Sequence, residues 1–440
     1  MRLNLFFAFI VSTFLCSKIS DVISFFIPKK AYWIYIIPAV FLLVTIIYKK
    51  VAFLKKTATR VFLILSTLIP YFVLVFYVSL CIINYPAEIP VEAKLKAEYL
   101  TEQEIDAGNR LAKMIEEFDE KIAVSDQDLI RNSDIIDSNK STIVELIKRT
   151  SDDRKKVLEF INRNSIAIPN TFDKSRKLNF LSKSSDNSIV HIRTLIIIYK
   201  LELFEVERFK TEKKYDQAVN KYISTWNNLA NAYKIKNTDI IGALCLGTIS
   251  QDLGEYFYNN QNIFLSYDFT DVTRLKEDII NNLDRTYKVG FSNEYISYMT
   301  MLGNSKNIWP LMDKNKFLRR LDDYYYSSAE SIKNPLDIVP YEESVDFGAM
   351  EDPIFLKDYI GEFLYTINEG VYSGISQNAI KQKNEISVYF YAMDKNNYQN
   401  VPRDYFTGEK IKINEFSDRI EIDVYTTFRL DKTQRFVIIK

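Results

Sequence analysis

The chain has 440 residues, 47% of them hydrophobic, with 57 basic and 57 acidic side chains and therefore no net charge. Eleven glycines and eleven prolines are too few for a linker-like or low-complexity chain, and the apolar content is too high for a disordered one. The charge is unevenly placed: up to Tyr85 there are nine basic residues and one acid, Asp21, leaving 48 basic and 56 acidic residues beyond, a net of −8. Such an acidic body lacks an electrostatic footprint for nucleic acid and is repelled by anionic lipid. Cys16 and Cys81 fall in apolar runs and only Cys245 lies in the body. No disulfide can form within the body, whose stability must come from buried apolar surface.

Three apolar runs open the chain. Leu3 to Ile27 is interrupted by Lys18 and Asp21, which stand three residues apart and could face each other on a helix. Ala31 to Tyr48 contains only Pro38 as an interruption, and residues 61–85 carry no charge at all. Each is read as a membrane span, because a hydrocarbon core of ~30 Å needs about 20 apolar helical residues. A signal peptide, with Arg2 as its charged start and Leu3 to Cys16 as its apolar core, is the rival for the first run. Thr13-Phe14-Leu15-Cys16 offers no small-x-small cleavage site and no lipoprotein anchor. Lys49, Lys50, Lys55, Lys56 and Arg60 lie between the second and third runs with no acid among them, against Lys29 and Lys30 in the first loop. The more basic loop belongs in the cytoplasm, which places the amino terminus inside and everything after Pro86 outside.

The chain therefore divides into an anchor over 1–85, a helical body over 86–395 and a β-rich terminal element over 396–440, a mainly α protein. Thr101-Glu-Gln-Glu104 has the form of a capping box, followed by Leu111, Ile115, Phe118 and Ile122 at helical spacing. Residues 123–185, with Ser133-Asp134, Ser138-Asn139 and Ser184-Ser185-Asp186, suggest shorter helices joined by loops. Asp186 is placed to cap a helix through about Phe209. A second helix runs from about Tyr215 to Lys234, with Val219, Tyr222, Ile223, Trp226, Leu229, Ala230 and Tyr233 on one face, and Asn237 or Thr238 opens a third through Tyr258. Short turns at 210–214 and 234–237 make these three antiparallel neighbours. Phe317, Leu321, Tyr324 and Ser328 continue the helical period, and another helix is expected from Asp352-Pro353. Ile420, Ile422 and Val424 alternate with Glu421 and Asp423, and Arg435 to Ile439 is a second β-branched run, the pattern of a small antiparallel sheet.

Two segments resemble known families. Lys214-Tyr215-Asp-Gln-Ala218-Val-Asn-Lys-Tyr222 is similar to the second helix of a tetratricopeptide repeat, but Leu195-Ile-Ile-Ile-Tyr199 replaces the small residue of the partner helix, so the resemblance covers one unit and the body is read as an irregular helical array, with a superhelical, repeat-like stack as the open alternative. Pro402-Arg-Asp404-Tyr-Phe406-Thr-Gly408-Glu-Lys410 resembles the Pro-x-Asp-Pro-Phe-Ser-Gly-Lys segment that ends a family of uncharacterised bacterial membrane-anchored proteins with a helical extracytoplasmic region. Tyr405 and Glu409 depart from that pattern, and the family's closing Tyr-Ser-x-Gly sequence is missing. The resemblance, about ten residues with a looser likeness from Asp186 to Gln251, implies an architecture in the bacterial inner membrane and no activity. Read physically, Asp404 can accept a bond from the backbone two residues on, Gly408 can take positive φ and Phe406 can tuck beneath, so the segment is a structural turn plugged onto the helices.

The inventory for chemistry is thin. His191 is the only histidine, and Cys245 sits in apolar Leu244-Cys-Leu246, so neither a Ser-His-Asp nor a Cys-His site can be assembled on sequence grounds. One Cys and one His in the body cannot build a zinc site, and no phosphate-binding Gly loop occurs. Glu342, Glu343, Asp346, Glu351 and Asp352 gather around Gly348, where oxygen ligands could hold calcium or a pair could act on a glycan, but the spacing fits no EF-hand and a solvated acidic connection is the simpler reading. Asp322-Asp323-Tyr324-Tyr325-Tyr326 could be a sugar platform; at helical spacing with Leu321 it is read as half core and half surface. The expectation is a membrane-tethered extracytoplasmic scaffold that binds a protein or peptide of the envelope, without catalytic, cofactor or metal residues. The alternative is a carboxylate-dependent hydrolase acting on envelope glycan.

Overall fold

The computed structural model describes residues 1–26, 32–48, 50–83, 94–96, 98–132, 134, 140–168, 187–267, 272–304, 314–333, 359–394, 400–427 and 430–439. Its amino-terminal part is three packed helices, α1 (Arg2–Phe26), α2 (Ile36–Ile47) and α3 (Thr57–Ile83), with short 3₁₀ turns at Tyr32–Tyr35 and Ala52–Lys55. Two of them, over Arg2–Ser20 and Thr57–Ser79, are long and apolar enough to cross a membrane. The expected second span over 31–48 is shorter than the sequence suggests. As twelve α-helical residues α2 rises only ~18 Å, because the chain ahead of Ile36 is wound as a 3₁₀ turn. Pro38 lies in the first turn of α2, where a missing N–H costs little. Phe62, Phe72 and Val75 of α3 point outward, 66%, 72% and 65% exposed, whereas hydroxyls such as Ser66 and Ser79 fold back onto carbonyls one turn earlier. Such a helix exposes apolar side chains while its hydroxyls are satisfied within the helix.

The three helices alternate in direction. Arg2 Nε donates to the Thr45 carbonyl at 3.2 Å and Cys16 Sγ to the Ile34 carbonyl at 3.4 Å, so α1 and α2 are antiparallel. Because α3 begins ten residues after α2 ends beside Arg2, the edge contact of Phe14 with Tyr77 near the far end of α3, 6.0 Å between ring centres, runs α3 parallel to α1.

The body contains α4 (Glu102–Glu120), α5 (Val124–Asn132), α6 (Ser141–Arg163), α7 (Asn187–Thr211), α8 (Tyr215–Ala232), α9 (Ile240–Asn259), the single turn α10 (Gln261–Phe264), α11 (Val272–Asn304), α12 (Lys314–Lys333) and α13 (Tyr359–Met393). The capping box forms as read: Glu104 N–H donates to Thr101 Oγ1 and Thr101 N–H to Glu104 Oε2. Leu111, Ile115, Phe118 and Ile122 are buried behind it. The polar stretch after residue 123 is less broken than expected, since α6 is a single helix of 23 residues. Its Ile143, Leu146, Ile147, Val157, Leu158 and Ile161 recur on one face, and that period outweighs the scattered Ser and Asp. The expected cap Asp186 lies outside the described residues. The third helix of the series is capped by Asp239, whose carboxylate accepts from Gly242 N–H at 2.6 Å, rather than by Asn237 or Thr238. Asn237 instead takes positive φ, 59°, and Thr238 turns its hydroxyl onto the Ile235 carbonyl.

Val219, Tyr222, Trp226, Leu229, Ala230 and Tyr233 are buried as the helical period requires, and Ile223 is half-buried. Tyr222 is packed by Trp226, Tyr256, Phe257 and Phe264, the last at 4.7 Å between ring centres. The close helix approach, however, is between α9 and α13. A Cβ at Gly247 would collide with Gln382, and one at Gly254 with the Tyr389 ring. Because α13 packs on α9, α11 and α12 alike, the helices do not contact only their chain neighbours as a repeat stack would.

Strands β1 (Lys412–Glu415), β2 (Arg419–Tyr425) and β3 (Thr433–Ile439) form an antiparallel sheet in that order. Ile420, Ile422 and Val424 face inward with Phe436 and Ile438. The outer edge of β3 is closed by side chains: Tyr258 accepts from Val437 N–H, and Gln261 accepts from Ile439 N–H while donating to the Val437 carbonyl. A covered edge cannot recruit a foreign strand.

Candidate functional site

The segment Lys381-Gln-Lys-Asn-Glu385 of α13 is polar throughout, yet Gln382, Lys383, Asn384 and Glu385 are each at most 4% exposed. Four polar side chains in succession can be buried only if each is matched, since an unmatched buried polar group costs ~1–3 kcal/mol and a charge more. Their partners come from α9, α11, α12, the terminal turn and β2. Gln382 accepts from Tyr287 of α11, and Glu385 accepts from Gln251 of α9 at 2.8 Å with Lys381 at 3.5 Å. Lys383 Nζ lies 2.8 Å from Asp284 of α11, donates to the Ile332 carbonyl of α12, and stands 4.4 Å from the centre of the Tyr405 ring. Asn384 accepts from Tyr405 N–H and donates to the Tyr425 carbonyl.

This belt receives the terminal turn. Asp404 Oδ1 accepts from Phe406 N–H at 2.7 Å, the bond two residues on that the sequence suggests, and Oδ2 accepts from Tyr425 N–H at 2.8 Å. Gly408 has φ 71° and its N–H closes the turn on the Asp404 carbonyl, with Phe406 buried beneath. The turn is thus a plug between α13 and β2.

Two carboxyls on α9, Asp252 and Glu255, lie near Glu385 of the belt, with Glu255 acting electrostatically on both of the others. Burial pushes Asp252 up to about 6, against the pull of Lys200 and with a further push from Glu255. Glu385 is raised for the same first reason, opposed by Gln251 and Lys381, and Glu255 acts on it as well. Glu255 itself is exposed. A half-buried carboxyl whose proton affinity is raised by burial, with a second carboxyl on the next turn of the same helix, is an arrangement from which acid and base chemistry can be built. Neither Asp252 nor Glu385 carries a sequence motif; the only signal is charge inside an otherwise apolar helical period.

A second charged knot is structural. Arg154 of α6, 1% exposed, lies 3.0 Å from Glu202 and 2.9 Å from Glu205 of α7, and Lys221 of α8 reaches both carboxylates at 2.7 and 3.0 Å. Two cations and two carboxylates balance, so three helices are tied at little net charge.

Most of the residues singled out in the sequence as candidates for catalysis or metal binding have side chains outside the described residues. His191 belongs to α7, with its side chain outside the described residues; Leu195 and Ile198 on the following turns are buried. Cys245 is buried on α9. Glu342, Glu343, Asp346, Glu351 and Asp352, together with the helix start expected at Asp352-Pro353, lie outside the described residues. Among the described residues no group of three or more His, Cys, Asp and Glu side chains is placed to hold a metal ion. The 322–326 run divides as expected between core and surface: Tyr324 and Tyr325 are buried and Tyr326 is exposed. Its acids dock the chain arriving from the anchor. Asp322 accepts from Lys94 N–H with both oxygens at 3.0 Å, and Lys94 Nζ pairs with Asp323 at 2.6 Å. Four residues on, Glu98 accepts from Asn237 N–H and faces Arg285 at 3.5 Å. No protein family model matches the chain, and comparisons with curated proteins and with solved structures return no match.

Proposed function

We propose that the chain is a membrane-tethered helical scaffold of the bacterial cell envelope, with its body outside the cytoplasm, where it holds a protein or peptide partner. What carries the reading is the use made of the charged groups. The buried ones, Arg154, Glu202, Lys383 and Glu385, are committed to holding helices together, and four exposed basic ones with no acid among them, Lys50, Lys55, Lys56 and Arg60, collect at one end of three apolar helices. The span count and the orientation rest on that basic end, which belongs in the cytoplasm. The body follows α3 to the other side, and the contacts of Lys94 and Glu98 tie the first described residues after α3 to it.

A glycan hydrolase is the second reading, favoured by the raised Asp252 beside Glu255 and Glu385. One experiment separates the two: complementation of a deletion strain by Asp252→Asn and Glu255→Gln, with detergent extracts probed in parallel for co-purifying protein. The scaffold predicts full complementation by both variants and the same partner as wild type. Lost complementation with melting and partner capture preserved would instead establish the hydrolase.

A further inference from the structure

The connection between α2 and α3 has a surface that the anchor role does not require. Residues 50–60 include Lys50, Lys55, Lys56 and Arg60 and no acid, and all four cations are exposed. Among the described residues no carboxylate lies within ion-pairing distance of any of them. Between the cations the Ala52–Lys55 turn holds two apolar side chains away from the helices, Val51 at 37% and Phe53 at 61% exposure, and Lys56 Nζ stands 5.7 Å from the centre of the Phe53 ring. Arg2 comes alongside from α1. Its Nε is used on the Thr45 carbonyl, which orients the guanidinium at the end of α2 from which this connection departs. Cations flanking an outward aromatic, at the level where apolar helices end, match the boundary between acyl chains and phosphates: the ring enters the acyl layer and the cations meet the headgroups.

We propose that residues 50–60, with Arg2, form a binding surface for the phosphodiester headgroups of anionic phospholipids in the leaflet on their side of the membrane. The body carries a net of −8 and repels the same lipids, so charge alone gives the two ends opposite preferences. This rests on the membrane-anchor reading, though not on which face is cytoplasmic.

The test is native mass spectrometry of the full chain in detergent, titrated with phosphatidylglycerol and phosphatidylcholine of identical acyl chains. Wild type is expected to retain phosphatidylglycerol at least about tenfold better, and Lys55→Gln/Lys56→Gln/Arg60→Gln to bring that ratio close to one, since each surface cation contributes a severalfold factor. Lys55→Arg/Lys56→Arg, which keeps the charge, should keep the ratio. Equal retention of both lipids by wild type, an unchanged ratio in the triple variant, or displacement of the lipid by excess inorganic phosphate would each overturn the proposal. A reporter fused after Lys440 is read in the same proteins. Inverted insertion with the lipid ratio intact sinks the orientation and supports the surface.

Discussion

Glu104 closes the capping box of α4, accepts from Ser165 at 2.7 Å and pairs with Lys236 at 2.7 Å, joining the start of α4 to the ends of α6 and α8. Lys236 first, then the Thr101 amide and Ser165, hold its carboxyl down at about 2. The folded value lies below the unfolded one, so its stabilisation is complete above the unfolded carboxylate range and is lost as pH falls from about 5 towards 2. Glu104→Gln should cost ~1–2 kcal/mol at pH 7, a figure reduced for solvent screening, and almost nothing near pH 2. Chemical denaturation of the full chain in detergent at both pH values measures this, and an equal loss at the two would refute it. Lys383 presents the opposite balance, because burial lowers its affinity for a proton while Asp284 restores part of it. Lys383→Met strands Asp284 and should cost ~3–5 kcal/mol, whereas Lys383→Met with Asp284→Leu should recover most of that. If melting shows the two losses simply adding, the pair is not coupled.

At the scale of elements, the terminal turn joins helices to sheet through bonds that neither could make alone. A β-branched residue at φ 71° is strained, so Gly408→Val should cost ~1–3 kcal/mol, and Phe406→Ala should cost ~3–5 through the cavity it leaves. Unchanged melting in both variants would mean that the turn is ornament. The helices of the body were legible where apolar residues recur at 3.6, as in α4, α8 and α12, and of the two long strands one was legible by its alternation and the other by its β-branched run. Strand β1 was not, because three of its four residues are exposed and no apolar alternation marks it; pairing with β2 forms it. The Asp239 cap was missed by one or two residues, since Asn237, Thr238 and Asp239 are all good caps and the choice falls to the contacts of Asn237 with Glu98 and Ile168.

For the whole molecule the decisive prediction is topological. With Arg2 and the 50–60 connection at one end of the three helices and α3 parallel to α1, a reporter active only in the cytoplasm should be active at Lys56 and silent after Lys440. Activity at both positions would overturn the arrangement.

By itself the sequence determined that the chain is mainly helical, that it opens with apolar helices and closes with a small sheet, and where the Asp404 turn lies. These follow from local period, charge placement and turn chemistry, which act over a few residues. Only the tertiary structure decided that Gln382, Lys383, Asn384 and Glu385 are interior, because their partners Tyr287, Asp284, Tyr405 and Gln251 lie 21 to 134 residues away in the chain. It also decided that Asp322 pins the chain at Lys94, across 228 residues. A buried polar group is tolerated only by partners brought from elsewhere, and no local pattern encodes where they arrive.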